Sequence, residues 1–255
     1  MASNNRAEPQ PETQASVNSE GVTIWERVER QHTQPTRTLD YGQIADAAIT
    51  IADAHGLEAV SMRRLANVLG VATMGLYRYV SSKDDILWLM VDAAVGDVEA
   101  LEADPGDWRK VVRQYAEIQR AALGRHPWMF EAGVRIALHL TPNRMALTER
   151  TLAALDDIGL DIDDQFGILL TIGAYVWGTA GGEMAMSQLM RSKGWETRDE
   201  LRHAYGRQMS WLMGTGRYPS FQRYISQAKR KDDADWRFDF GLDCILDGIA
   251  ARLGI

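Results

Sequence analysis

The sequence predicts an all-α chain of two domains, on three observations. Apolar residues recur at three- and four-residue intervals from residue 41 almost to the C-terminus, the mark of amphipathic helices. No stretch alternates apolar and polar residues with period two between hairpin signals. Gly and Pro fall where such helices should stop, as at Gly56, Pro127 and Gly159. The expected organisation is a polar, disordered tail at 1–36, a small three-helix domain at 37–90 and a larger helical domain at 91–255.

Composition narrows the classes. The chain has 255 residues, a net charge of -7 and one cysteine, Cys244. It therefore has no intrachain disulfide and no Cys-based zinc site, which fits a reducing cytoplasm. The first 21 residues lack the apolar core of a secretory signal. Residues 22–31 allow a short helix, ended by QPT at 34–36. Residues 165–182 carry no charge, but they include five glycines and are bordered by Asp163, Asp164 and Glu183. This segment reads as a helix buried in a core or an interface, not as a membrane span.

The remaining elements follow in order. Residues 41–56 place Ile44, Ala48, Ile51 and Ala52 on one stripe, with Gly56 at a left-handed cap. Residues 84–103 read as one long helix ended by Asp104-Pro105-Gly106, joining the two domains without a flexible linker. Helices at 107–125, 142–159, about 165–192, 196–214 and 233–254 complete the chain, and Pro219 is assigned to a loop before the last of them.

The stretch between the first two long helices is chemically distinct. Residues 61–83 hold Arg63, Arg64, Arg78 and Lys83 and no acid, in an otherwise acidic chain. A local basic surface on an acidic body suits a polyanion. Ser61 is placed to cap a helix over 62–69, Gly70 permits a sharp turn, and Thr73 is placed to cap a second helix through Val80. Leu65, Leu69, Val71, Leu76 and Val80 are spaced as the core of this helix-turn-helix, with small Ala66 at the crossing. That leaves Arg63, Thr73, Met74, Gly75, Tyr77, Arg78 and Tyr79 facing outward. The second helix of such a unit enters the major groove, its first residues at base edges. Arg suits guanine or phosphate, Tyr hydroxyls suit phosphate, and Gly75 lets the backbone come close. Ser82 caps the next helix, so Lys83 and free backbone N–H groups mark a phosphate position.

Residues from Leu39 to about Val91 resemble the N-terminal domain of the tetracycline-repressor (TetR) family, through HGLEAVSMRRLANVLGV and LYRYVSSKDDIL. Leu76, Tyr77, Tyr79, Val80 and Lys83 match the family's Leu-Tyr-x-His/Tyr-Phe/Val segment and its Lys-containing turn. The resemblance implies DNA contacts from Arg63, Thr73, Met74, Gly75, Tyr77, Tyr79 and Lys83. Met74 and Gly75 depart from the usual Pro or Ser/Thr, and Tyr79 from the commoner His, so operator preference does not carry over.

The rest of the chain resembles the family's helical C-terminal domain, in its tetracycline-repressor branch, through RHPWM at 125–129, TPN at 141–143 and FGLDCILDGI near the end. This implies a ligand-binding and dimerisation domain. Trp128, Phe130, Tyr175 and Trp177 are the candidate ligand contacts, among large adaptable side chains suited to a cavity. His139 and Glu183 join them, because their positions resemble the metal-contacting pair of that branch. No cofactor and no resident metal is expected. Small residues four apart, Ala174, Gly178 and Gly182, suit a close helix interface with the last helix (Phe240, Cys244, Ile245, Ile249) across a two-fold axis.

The expected function is a cytoplasmic, homodimeric regulator, a repressor released from a palindromic DNA operator by a small molecule. The alternatives are an all-helical enzyme using Glu117, His126, Glu131, His139 or Glu183, or a helical binding protein with no DNA role. No nucleophile–base spacing, metal motif or Gly-rich phosphate loop favours the enzyme.

Overall fold

A computed structural model of the chain describes residues 21–32, 39–96, 107–133, 140–156 and 158–254. Each element among them is a helix. The chain divides into two compact units, Met1–Ala100 with Glu131–Ala146, and Leu101–Phe130 with Leu147–Ile255. The first unit thus takes in a later segment that lies far from it in sequence.

The first unit holds α1 (Ile24–His32), α2 (Tyr41–His55), α3 (Met62–Leu69), α4 (Thr73–Leu76) and α5 (Lys83–Val95). Asp40 starts α2 with a capping box: its carboxylate accepts from Gln43 N–H at 2.7 Å, and Gln43 Oε1 accepts from Asp40 N–H at 3.0 Å. Ile44, Ala48, Leu65, Leu76, Val80 and Met90 are fully buried and form the core. Leu69 and Val71, expected there too, are half-buried.

Helix α1 lies inside the span expected as a tail, where the sequence allowed a helix. Its Arg27 guanidinium donates to Tyr79 O (2.9 Å), Ser81 Oγ (3.1 Å) and Asp85 Oδ2 (2.7 Å). Asp85 is fully buried, and the same oxygen accepts from Ser81 N–H at 2.6 Å. A buried carboxylate is tolerable only with such partners, so α1 is part of this unit's packing. Residues 1–20 and 33–36 of the expected tail, including the expected stop at QPT, lie outside the described residues.

Two helix ends differ from expectation. Gly56 adopts φ 81°, ψ 163° instead of the left-handed helical conformation. The chain leaves α2 for a 3₁₀ turn, Leu57–Ala59, and Leu57 N–H donates to the Glu131 carboxylate at 2.8 Å. Helix α5 stops at Val95, where Gly96 takes φ 81°, instead of running on to residue 103. Glycine adopts such angles without a Cβ clash and ends the helix there. Residues 97–106 lie outside the described residues.

The second unit is built from α6 (Trp108–Arg125), most of α8 (Pro142–Asp156), α9 (Ile162–Lys193), α10 (Arg198–Gly214), α11 (Pro219–Gln227) and α12 (Ala234–Leu253). Unit boundaries fall inside α8 and inside the short α7 (Trp128–Ala132). Asp107, Asp161, Thr197 and Asp233 cap α6, α9, α10 and α12 through side-chain oxygens. Pro219 opens α11 at its first turn, so the expected loop there is a helix; a missing N–H costs nothing at that position. Val112, Ala116, Ile172, Val176, Phe238 and Leu242 form the buried centre of α6, α9 and α12.

A ladder of ion pairs sets α6 antiparallel to α12. Arg109 pairs with Asp247 at 2.8 Å, Arg113 with Asp243 and Asp239, and Arg120 with Asp235 at 2.9 Å. Ascending numbers on one helix meet descending numbers on the other. The carboxylates are largely exposed, so the ladder fixes register more than it adds stability. No helix among the described residues is long and apolar enough to cross a membrane.

Candidate nucleic-acid interface and ligand cavity

The helix-turn-helix is assembled by local backbone chemistry. Ser61 Oγ accepts from Arg64 N–H at 3.2 Å and starts α3. Gly70 ends it in the left-handed conformation, φ 68°, ψ 26°. Helix α4 begins one residue earlier than a Thr73 cap would allow: Ala72 is the extended N-cap, and its carbonyl accepts from Gly75 and Leu76 N–H. Thr73 is therefore the first helical residue, and its hydroxyl makes no cap bond. Past Leu76 the chain tightens. Arg78 N–H reaches Gly75 O and Tyr79 N–H reaches Leu76 O, the i to i+3 pattern that carries the segment to Val80.

These turns leave Arg63, Met74, Tyr77, Arg78 and Lys83 exposed and Thr73, Gly75 and Tyr79 half-exposed. Met74 is 76% exposed, the largest apolar side chain left open on α4. Among the described residues, none of Arg63, Arg78 and Lys83 is held in an ion pair. A Cβ placed on Gly75 would meet open space, so nothing inside the protein demands glycine there. Tyr79 differs from the others: its ring packs edge-on against Tyr41 with centroids 5.8 Å apart, and its carbonyl accepts from Arg27. Ser82 Oγ accepts from Asp85 N–H at 3.1 Å, capping α5 beside Lys83. Arg27, the remote group that holds the end of this reading segment, has no sequence motif. Its partner Asp85 reads in the sequence as an ordinary first-turn acid of α5.

The candidate ligand residues take separate positions. Phe130 and Trp177 pack edge to face at 5.1 Å, and the Phe130 ring lies 3.4 Å from where a Cβ on Gly181 would be. Tyr175 clamps α9 to α12: its hydroxyl donates to Phe238 O at 2.8 Å and Arg237 O at 3.2 Å. Burial pushes its phenol above the usual range, offset by nearby Arg120. Trp128 is 1% exposed, beside His126. His139 lies outside the described residues.

Glu183 lines a cavity of about 460 Å³ between α6 and α9, with Arg120, Gly124, Met184, Ser187 and Arg191. Arg120 is the hub of its wall. It pairs with Glu183 at 3.2 Å and Asp235 at 2.9 Å, and stacks over Phe238 at 4.4 Å. The volume fits a small organic molecule, and the wall mixes apolar surface with a few fixed polar groups. Arg120 escapes a reading of the sequence because the pairing of α6 with α9 and α12, not any local pattern, brings it here.

Comparison with known proteins bears on both sites. Residues 44–88 match the family "Bacterial regulatory proteins, tetR family", and residues 102–253 match "Tetracyclin repressor-like, C-terminal domain". The HTH-type transcriptional repressor DrrR1 of Streptomyces coeruleorubidus is 34% identical over 89% of this chain and 83% of its own length. An HTH-type transcriptional regulator of Saccharopolyspora erythraea is 30% identical over 93% of this chain and 96% of its own. Among solved structures, the Streptomyces coelicolor TetR family protein ActR in complex with actinorhodin superposes with a TM-score of 0.63 at 28% identity, covering 85% of this chain and 97% of that one. A match that runs through both units, with an acid-free helix-turn-helix in the first, leaves one conclusion: the chain belongs to the tetracycline-repressor family and is a DNA-binding transcriptional regulator.

Proposed function

We propose that the protein is a homodimeric repressor that holds a palindromic operator through α3 and α4 and releases it when a small molecule enters the cavity around Arg120 and Glu183. The observation that carries the reading is the exposed set Arg63, Arg78 and Lys83, none of them ion-paired among the described residues, around an α4 that leaves Met74 open and is followed by the exposed Tyr77. Thr73 and Met74 read base edges, and Arg63, Tyr77 and Lys83 hold phosphates, with Arg78 and Tyr79 at the margin of the contact. Repression is supported by the relative DrrR1, itself a transcriptional repressor. Release by a ligand is supported by ActR, whose structure holds actinorhodin. The effector here is a small amphipathic molecule, since the cavity offers apolar surface beside Arg120, Glu183 and Arg191. The protein acts on DNA in the cytoplasm, and no catalytic role is assigned.

Two helix faces support the dimer. Phe166, Leu170, Ala174, Gly178 and Gly182 form an exposed stripe on α9, and Phe240 and Cys244 are exposed on α12. Apolar stripes left open on a protomer mark association surfaces. A Cβ on Gly178 meets nothing within 4 Å in the protomer. Gly178→Leu is therefore expected to keep the helical circular-dichroism signal and lose the dimer in sedimentation. A dimer of unchanged strength would remove α9 from the interface.

Selection of bound sequences from random duplex DNA tests the central reading, and a palindromic consensus is expected. The half-sites of a two-fold reader lie about 34–36 Å apart, one turn of DNA. Gly75→Ala serves as the paired variant. It meets open space and gains helix propensity of up to about 1 kcal/mol, so it should fold at least as well and bind the selected operator more weakly. Failure to enrich any sequence would overturn the proposal.

A further inference from the structure

A second cavity, of about 650 Å³, lies within the first unit. Its wall comes from α1, α2, α5 and the first turn of α8. Trp25, Val28, Tyr41 and Leu89 give it aromatic and aliphatic surface, and Asp40 and Asp92 give it charge. No Lys or Arg stands among its described lining residues. Both carboxylates are fixed by backbone donors: Asp40 by Gln43 N–H at 2.7 Å, and Asp92 by Asn143 N–H at 2.7 Å. Among the described residues, neither is ion-paired. Asn143 Nδ2 also donates to Asp92 O at 3.1 Å, so the α5–α8 corner of the wall is held at two points.

We propose that this cavity binds an organic cation, an amine or quaternary ammonium carrying an apolar group, between the carboxylates of Asp40 and Asp92 and the rings of Trp25 and Tyr41. The volume is that of a small-molecule site, and the lining sets Gln31, Asp40, Asp92 and Asn143 among aromatic and aliphatic surface. Aromatic faces attract such cations through the ring quadrupole, most strongly where water is excluded. Two carboxylates with no basic partner among the described residues supply the opposite charge. Burial also holds the Asp92 carboxyl above the usual range, against the Asn143 hydrogen bond that lowers it; a bound cation relieves that cost. A bare metal ion fits poorly, because hard cations need six or more clustered oxygens. The site is distinct from the cavity around Arg120, where Glu183 is already paired with an arginine.

Calorimetric titration of the full-length protein with benzyltrimethylammonium tests the proposal, with neopentylbenzene as its uncharged carbon analogue. One saturable equivalent per chain is expected for the ammonium ion, with the neutral analogue weaker. Asp92→Asn should weaken binding by about tenfold, and Asp40→Asn, whose carboxylate is exposed, by about twofold or more. Both variants keep an oxygen that accepts the same backbone N–H, and Asn is as good an N-cap as Asp, so the fold survives. Glu183→Gln should leave the titration unchanged. No saturable heat in the millimolar range, equal affinity for the neutral analogue, or a response to Glu183→Gln with none to Asp92→Asn would each overturn the assignment.

Discussion

The reading face of the first unit is set by neighbours in sequence, whereas the cavity of the second draws on helices far apart in the chain. Ser61, Gly70, Ala72 and Ser82 fix α3, α4 and the start of α5 through caps and one left-handed turn. The wall around Arg120 needs Glu183 from α9 and Asp235 and Phe238 from α12. Local capping ties a few orphan backbone groups to particular side-chain types, so it leaves a signature in sequence order. Helix pairing depends on register between distant segments and leaves none. The difference also marks where each region should be vulnerable.

The contrast breaks down first at Arg27, a long-range support of the locally built face. Arg27→Met leaves the buried Asp85 carboxylate with the Ser81 N–H and no cation. Removing one member of a buried pair costs about 3–5 kcal/mol. Urea unfolding should show a loss on that scale, and adding Asp85→Asn should recover part of it by removing the stranded charge. A loss below about 1 kcal/mol would mean that the face needs only its local caps.

In the second unit the matching device is the Tyr175 clamp. A Cβ on Gly241 would lie 2.8 Å from Tyr175 Cζ and 2.9 Å from Cε2. Overpacking of this kind typically costs about 1–3 kcal/mol. Gly241→Ala should destabilise by that amount, and the penalty should vanish when Tyr175 is also replaced by Ala. A penalty that persists in the double variant would mean that the cost comes from groups other than the Tyr175 side chain.

On the reading face itself, Thr73 and Met74 should govern base preference, at roughly 1–3 kcal/mol per base pair. Replacing either should change the sequence recovered from random DNA. Lys83→Ala should weaken all sequences alike and reduce the salt slope of binding by about 1. If Lys83→Ala changes the consensus but not the slope, the roles assigned to these residues are exchanged.

How much was legible follows the same division. The all-helical class, the Ser61 and Ser82 caps and the turn at Gly70 can all be read from residue order, because each rests on a contact within four positions. The stop of α5 at Gly96 was open to the same reading. Its apolar pattern continues past the glycine, and that continuation masks the breaker. Helix α11 was hidden because Pro219 signals a loop or a helix start equally well. The aromatic candidates Trp128, Phe130, Tyr175 and Trp177 have the composition of a pocket, yet composition does not separate a ring that lines a cavity from one that packs two helices together. Trp128 is buried, and Tyr175 bonds two carbonyls of α12. Arg120 and Arg27 were out of reach, since only the tertiary partner gives either one a role.

Asp92 offers the finest test, because it is placed by a neighbour on another segment but is only half-buried. Desolvation raises its carboxyl above the usual range, and the Asn143 N–H only partly offsets this. A carboxyl raised on folding favours the native state while protonated, below the ordinary Asp range, and that contribution is lost as pH rises through the raised value. At neutral pH the charge is therefore a net cost to the fold. Asp92→Asn removes it and keeps an acceptor for the Asn143 N–H. Urea unfolding should show the variant more stable at neutral pH, by less than about 1 kcal/mol after allowance for solvent screening. The two proteins should converge as the pH drops below the ordinary Asp range. A variant less stable at neutral pH would show that the negative charge is compensated in the native fold, and would place a cationic group against Asp92.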